Sequence, residues 1–167
     1  MIGFEVIINK ETFVGGVQDG VISVIIDRLL LGSRNELTIS FGGYDVKANN
    51  SIHWLKNELF LGDKITIKVI EVMDNISIPI ETKSHRETNF KHPSKIGLQL
   101  SVKGEVIPAN ITKGSIHLIA TVLNDKNKSE IELDFIIVEH IDNEDTSKHC
   151  YKNTLALGDI LTIEVKE

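Results

Sequence analysis

The chain of 167 residues carries 18 Lys and Arg against 24 Asp and Glu, a formal net charge of −6, with 41% hydrophobic residues and three prolines. That balance fits one medium globular domain or two small ones and not a disordered chain, and its sign argues against a protein that binds nucleic acid by neutralising phosphates. The single cysteine, Cys150, leaves no internal disulfide and no Cys-rich zinc site, and no run approaches the roughly 20 apolar residues of a membrane-spanning helix.

The opening "MIGFEVIINK" has no basic lead-in and is interrupted by Glu5, so it does not read as a signal peptide. A cytoplasmic protein without a membrane partner is expected. Phe4, Val6 and Ile8 alternate with polar or smaller residues, which predicts a half-buried strand. "GVISVIIDRLLL" (20–31) is denser and rich in β-branched residues, as in a strand covered on both faces. "RNE" (34–36) reads as a hairpin loop, followed by a strand with Leu37, Ile39 and Phe41 on one face. The pairs "GG" at 15–16 and 42–43 read as bulges or turns.

Next, Ser51 can cap a helix, Ile52, Leu55 and Leu59 fall at helical spacing, and Gly62 suits a left-handed end. A short helix is therefore predicted before the last strand, which carries Ile65, Ile67 and Val69. Residues 72–95 lose periodicity and read as a linker, with room for an edge strand limited by Pro79.

The chain then says the same thing again. A shift of 94 matches Ile2-Gly3 with Ile96-Gly97, Gly20 with Gly114, and Leu37, Ile39, Phe41 with Ile131, Leu133, Phe135. Two extra residues enter within "EHIDNEDTSK", after which a shift of 96 makes Ser51, His53, Lys56, Asn57, Leu59, Leu61, Gly62, Asp63, Thr66, Ile67, Val69 and Glu71 recur as identities. The fold class this implies is mainly β: two tandem repeats of an antiparallel sandwich or barrel-like unit, residues 1–71 and 96–167, each with one short helix, packed face to face about a pseudo-twofold axis.

The segment "WLKNELFLGDKITIKV" (54–69), with "DGVISVII" (19–26) before it, resembles short single-copy bacterial proteins of unknown function, here duplicated. In the second copy Cys150 and Tyr151 replace Trp54 and Leu55. The resemblance implies a bacterial source and supplies no activity.

Folding accounts for the apolar residues, the caps and the turns, but not for His53, Lys56 and Asn57, which share a face at i, i+3 and i+4 of the predicted helix and recur as His149, Lys152 and Asn153. They form a candidate binding surface presented twice, alongside Trp54 as a stacking platform and the acidic loop with Asp142, Glu144 and Asp145. A solvated face competes with that reading. A metal shared by His53 and His149 would lack ligands, and the acidic loop lacks the glycine and terminal glutamate of a calcium loop, so no metal or cofactor is expected. Cys150 beside His149 is no nucleophile–base pair by adjacency alone.

Charge is lopsided: residues 2–71 hold nine acids against seven bases and residues 96–167 hold twelve against seven, net −2 and −5. The expected function is therefore a non-enzymatic protein-interaction module, immunity-like or antitoxin-like, masking a basic partner. A small-ligand or carbohydrate-binding domain using a cleft between the repeats is the alternative, and a subunit of a larger bacterial or phage assembly the third. The oligomeric expectation is a pseudo-symmetric monomer or a homodimer.

Overall fold

The computed structural model describes residues 1–73, 96–125, 128–141 and 144–167. These residues form twelve strands, and none of them is helical. In chain order they are β1 (Ile2–Ile8), β2 (Glu11–Gly15), β3 (Gly20–Leu31), β4 (Arg34–Asp45), β5 (Asn50–Glu58), β6 (Lys64–Glu71), β7 (Gly97–Val102), β8 (Glu105–Ala109), β9 (Gly114–Asp125), β10 (Lys128–Ile141), β11 (Glu144–Thr154) and β12 (Ile160–Lys166). The linker reading with its edge strand at Pro79 falls largely outside the described residues.

Two six-stranded antiparallel sheets result. Sheet A has the order β2-β1-β6-β12-β7-β8, and sheet B the order β11-β10-β9-β3-β4-β5. Neither closes into a barrel. The alternating apolar positions turn inward from both sheets into one core, with Phe4, Val6, Ile65, Ile67, Leu100 and Ile163 from sheet A facing Ile22, Val24, Ile39, Phe41, Leu118 and Phe135 from sheet B. Each such fully buried side chain contributes about 1.5–3 kcal/mol relative to exposure. Phe4 on β1 meets Phe41 on β4 edge to face at 6.4 Å between ring centroids, which ties the layers together.

Two self-contained lobes pressed face to face do not occur. The halves join edge to edge, three strands of each half entering each sheet, through β6–β12 in sheet A and β3–β9 in sheet B. Thr66 stands opposite Thr162 in the first seam, and Ile25 opposite Ile119 in the second. Edge-to-edge joining removes the exposed edges that two separate units would each have had to protect. Two buried polar side chains clasp the halves reciprocally. Asn124 Nδ2 donates to the carbonyls of Ile2 and Val17 at 2.7 and 2.9 Å, while Arg28 Nε donates to the carbonyl of Ile96 at 3.2 Å.

The predicted short helices are strands. β5 carries a bulge opposite Phe41 and Gly42: Leu55 pairs with Phe41, His53 pairs with Gly42, and Trp54 is the extra residue. β11 carries the same bulge at Cys150, between Tyr151 opposite Phe135 and His149 opposite Ile136. A bulge puts two neighbouring residues on the same side, so Trp54 and Leu55 are both buried. The extra residue stretched the apolar spacing to Ile52, Leu55 and Leu59, which imitates a helix. The glycine reading at 42–43 holds at Gly42, which faces the bulge.

The hairpin between β3 and β4 is tighter than expected, turning at residues 32–33 with Leu31 paired to Arg34, so "RNE" belongs to the strand. The repeated Leu-Gly-Asp is a turn built by its own side chain. Gly62 and Gly158 sit at φ of 87° and 89°, and Asp63 and Asp159 each accept a backbone N–H three residues back, from Phe60 at 2.8 Å and Ala156 at 2.9 Å.

Candidate functional site

The bulges decide where the sequence-predicted residues point. On β5, His53 and Lys56 face outward from sheet B, whereas Asn57, opposite inward-facing Ile39, turns toward the core side. On β11, His149 and Lys152 face outward and Asn153 pairs opposite inward-facing Leu133. The trio therefore does not share a face in either copy, because the helix that would have gathered it is a bulged strand. β5 and β11 are the two outer edges of sheet B, five strand intervals apart or about 24 Å, which puts a metal shared by His53 and His149 out of reach. Lysines and bulges on edge strands are also what keeps an edge from pairing with another chain.

Trp54 is 2% exposed, stacked against Phe41 at 4.8 Å, and offers no platform to a sugar. Asp145 pairs with His140 across the β10–β11 hairpin. Asp142 lies outside the described residues, and Glu144 is described only as a backbone position opposite Ile141. Cys150, the bulge residue, packs against the core while His149 points outward, so the two do not form a nucleophile–base pair.

The outward side of sheet B brings together residues that the sequence reading left apart. β3 and β9, its central strands, are apolar on the core side and mixed on the outer side, where Val21, Ile25, Leu29, Ile119 and Leu123 stand among Ser23, Asp27, His117 and Thr121, and no described segment covers that side. Tyr44, Val21 and Leu123 stand side by side across β4, β3 and β9, each between 36% and 48% exposed. Two rows along lie Ile25 and Ile119, both half-buried. On the β10 side this strip is bordered by three successive acids, with Glu130 opposite Leu123, Glu132 opposite Thr121 and Asp134 opposite Ile119. Asp134 lies 3.4 Å from His149 Nδ1 and 3.6 Å from Lys152 Nζ.

Beyond Ile25 and Ile119 the next row pairs Asp27 with His117. Asp27 Oδ1 is 2.7 Å from His117 Nδ1, and His117 Nε2 is 2.7 Å from Ser115 Oγ two residues along the same strand face. Ser-x-His on a strand already places both side chains on one face. Their partner Asp27 could be read only after β3 and β9 were paired about Ile25 and Ile119, a step that the sequence reading did not take.

A polar cleft of about 820 Å³ opens at one end of the seam between the halves, lined by Met1, Asp19 and Lys47 from the first half and Asn124, Asp125 and Lys128 from the second. Trp54 is not among its lining residues. On the outward face of sheet A, where Ile160 and Val106 are also exposed, Lys166 and Lys64 hold the Glu164 carboxyl below its ordinary range by hydrogen bonds. Among the described residues no helix is long and apolar enough to cross a membrane, and no group of three or more His, Cys, Asp or Glu is placed to hold a metal ion. No family model, curated protein or solved structure matches the chain.

Proposed function

We propose that the chain is a protein-interaction module, made by tandem duplication of one six-strand unit, that presents the outward face of sheet B to a partner with an apolar centre and a basic rim. The duplication is supported by the shifts of 94 and 96 in the sequence, by bulges at both Trp54 and Cys150, and by seams centred on the equivalent pairs Ile25–Ile119 and Thr66–Thr162.

The observation that carries the binding reading is the exposed row Tyr44–Val21–Leu123, followed across the small polar row Ser23–Thr121 by Ile25–Ile119 and flanked by Glu130, Glu132 and Asp134. Exposed apolar surface rimmed by polar groups marks interaction sites, and Glu132, with Glu130 and Asp134 exchanging their contacts to Lys128, His149 and Lys152 for those of a partner, supplies complementarity to a basic surface and speeds its encounter. This is the surface an immunity-like or antitoxin-like protein needs, with the net charge of −6 acting in the same sense.

The test compares proteins captured from the source cells by the wild-type chain, by Val21→Lys with Leu123→Lys, and by Ile160→Lys on the opposite sheet. A basic partner that is retained by wild type and Ile160→Lys, released by added salt and lost with the double variant supports the reading. A partner that binds the double variant as well as wild type, or capture of nothing at low salt, overturns it.

A further inference from the structure

We propose that Ser115, His117 and Asp27 form a nucleophilic site that takes acyl groups from activated esters, with Ser115 as nucleophile, His117 as general base and Asp27 as the positioning residue. The contacts have the order such chemistry requires. An ionised carboxylate only accepts hydrogen bonds, so Asp27 Oδ1 at 2.7 Å from His117 Nδ1 selects the tautomer protonated there. The lone pair is then left on Nε2, 2.7 Å from Ser115 Oγ, and the serine hydroxyl donates to it. That is the arrangement in which an imidazole removes a serine proton as the oxygen attacks.

Folding does not require the chain of three. The residues 94 positions away are Val21, Ser23 and Thr121, which occupy the equivalent places in the same seam and build the sheet without it. The three groups are also held rigidly, because Asp27 and His117 are direct cross-strand partners on the two central strands. His117 and Asp27 keep 35% and 45% of their side chains exposed, so the imidazole can exchange its proton with an incoming group. Ser115 is 8% exposed, shielded by the row in which Leu29 and Val138 are its cross-strand partners. Ile136 stands opposite His117. These apolar neighbours select an apolar acyl group.

In the acylation step the bond from Ser115 Oγ to the carbonyl carbon forms while the hydroxyl proton passes to His117 Nε2. The ester C–O bond then breaks, and the leaving oxygen takes that proton. Water, deprotonated by the same nitrogen, releases the carboxylic acid and restores the hydroxyl. β9 is paired on both sides, so its ladder N–H groups serve the sheet and not an oxyanion. Loss of one oxyanion donor costs about 10²–10³ in kcat in serine hydrolases, which restricts the site to esters with good leaving groups and makes the covalent adduct the best readout.

The probe is an alkyl fluorophosphonate, whose P–F bond breaks as the Oγ–P bond forms, with fluoride leaving and the proton going to His117. Intact-mass and peptide mapping are expected to place one adduct on Ser115 of the wild-type chain, and Ser115→Ala to lose it. His117→Asn should lower the labelling rate by about 100-fold or more. Asp27→Asn should lower kinact more than tenfold and leave KI unchanged, a split that a merely structural role would not produce. Melting temperatures of the variants show that each remains folded. Absence of the Ser115 adduct in the wild-type chain, or equal labelling of folded His117→Asn, overturns the proposal. Ile160→Lys, exposed on the opposite sheet, should label as wild type does, and the Ser115 adduct is read without any partner present, which keeps this result separate from the fate of the partner-binding reading.

Discussion

The indole of Trp54 occupies the space that a Cβ on Gly15 would need: such an atom would lie 2.7 Å from Trp54 Cδ2 and 2.6 Å from Phe41 Cζ. In the second half the shifts of 94 and 96 put Ala109, which is buried, and Cys150, which packs against the core, at the corresponding sequence positions.

Gly15→Ala is expected to destabilise the chain by about 1–3 kcal/mol through overpacking, and to cost much less where Trp54 is already replaced by Cys. Trp54→Cys alone opens a cavity and costs roughly 3–5 kcal/mol. Denaturant unfolding of the two single variants and the double variant closes a cycle. Additive effects would mean that the two residues do not compete for the same volume.

Asn124 and Arg28 hold the first strand of the opposite half, through the carbonyls of Ile2 and Ile96. Asn124→Ala leaves the carbonyls of Ile2 and Val17 without their side-chain donor and should cost about 1–3 kcal/mol. Hydrogen exchange should show the loss first at the amides of β1 and at its pairing with β6. Protection unchanged in β1 would remove Asn124 from this role.

Asp159 has its carboxyl held below the ordinary aspartate range, chiefly by the Ala156 N–H and also by Lys103 at 3.1 Å. A carboxyl depressed on folding adds stability that is present above its unfolded pKa and disappears as pH falls through the folded one. The melting temperature of wild type should therefore fall on the acid side of the ordinary aspartate range. Asp159→Asn should start lower near neutral pH and show a shallower acid limb. Parallel curves for the two proteins would contradict the assignment.

Gly62 and Gly158, at φ of 87° and 89° with open space where a Cβ would be, isolate backbone strain from packing. Either Gly→Ala change should cost about 1 kcal/mol, and Gly→Asn less, since asparagine tolerates the left-handed region. Thermal unfolding of the four variants measures both differences. Equal costs for Ala and Asn would mean that the conformation is not what selects glycine there.

Periodicity and repetition made most of the β architecture legible. The alternation of Phe4, Val6, Ile8 and of Ile65, Ile67, Val69 depends only on neighbours two residues apart, and each series is buried as expected. The dense apolar runs 20–31 and 114–123 do occupy the centre of sheet B, but the expectation that they are covered on both faces fails, because Val21 and Leu123 stand 36% and 48% exposed on an outward face that also carries Ser23, Asp27, His117 and Thr121. The helix before the last strand was misread, because an inserted residue at Trp54 and at Cys150 changes a period of two into an apparent period near four. Local spacing cannot separate a bulge from a helical turn; the partner strand opposite Phe41 and Gly42 does.

The candidate residues divide in the same way. His53, Lys56 and Asn57 stood out in the sequence because they repeat, yet repetition records descent and edge position as readily as binding. The link from Asp27 to His117, 90 residues apart, exists only because β3 and β9 pair antiparallel about Ile25 and Ile119. By itself the sequence determined the strand-forming pattern and the acidic balance, both of which are written in short-range order and composition. The tertiary structure alone decided that the halves share two sheets and that Ser115, His117 and Asp27 meet, since hydrogen-bonded register between distant strands sets which side chains become neighbours.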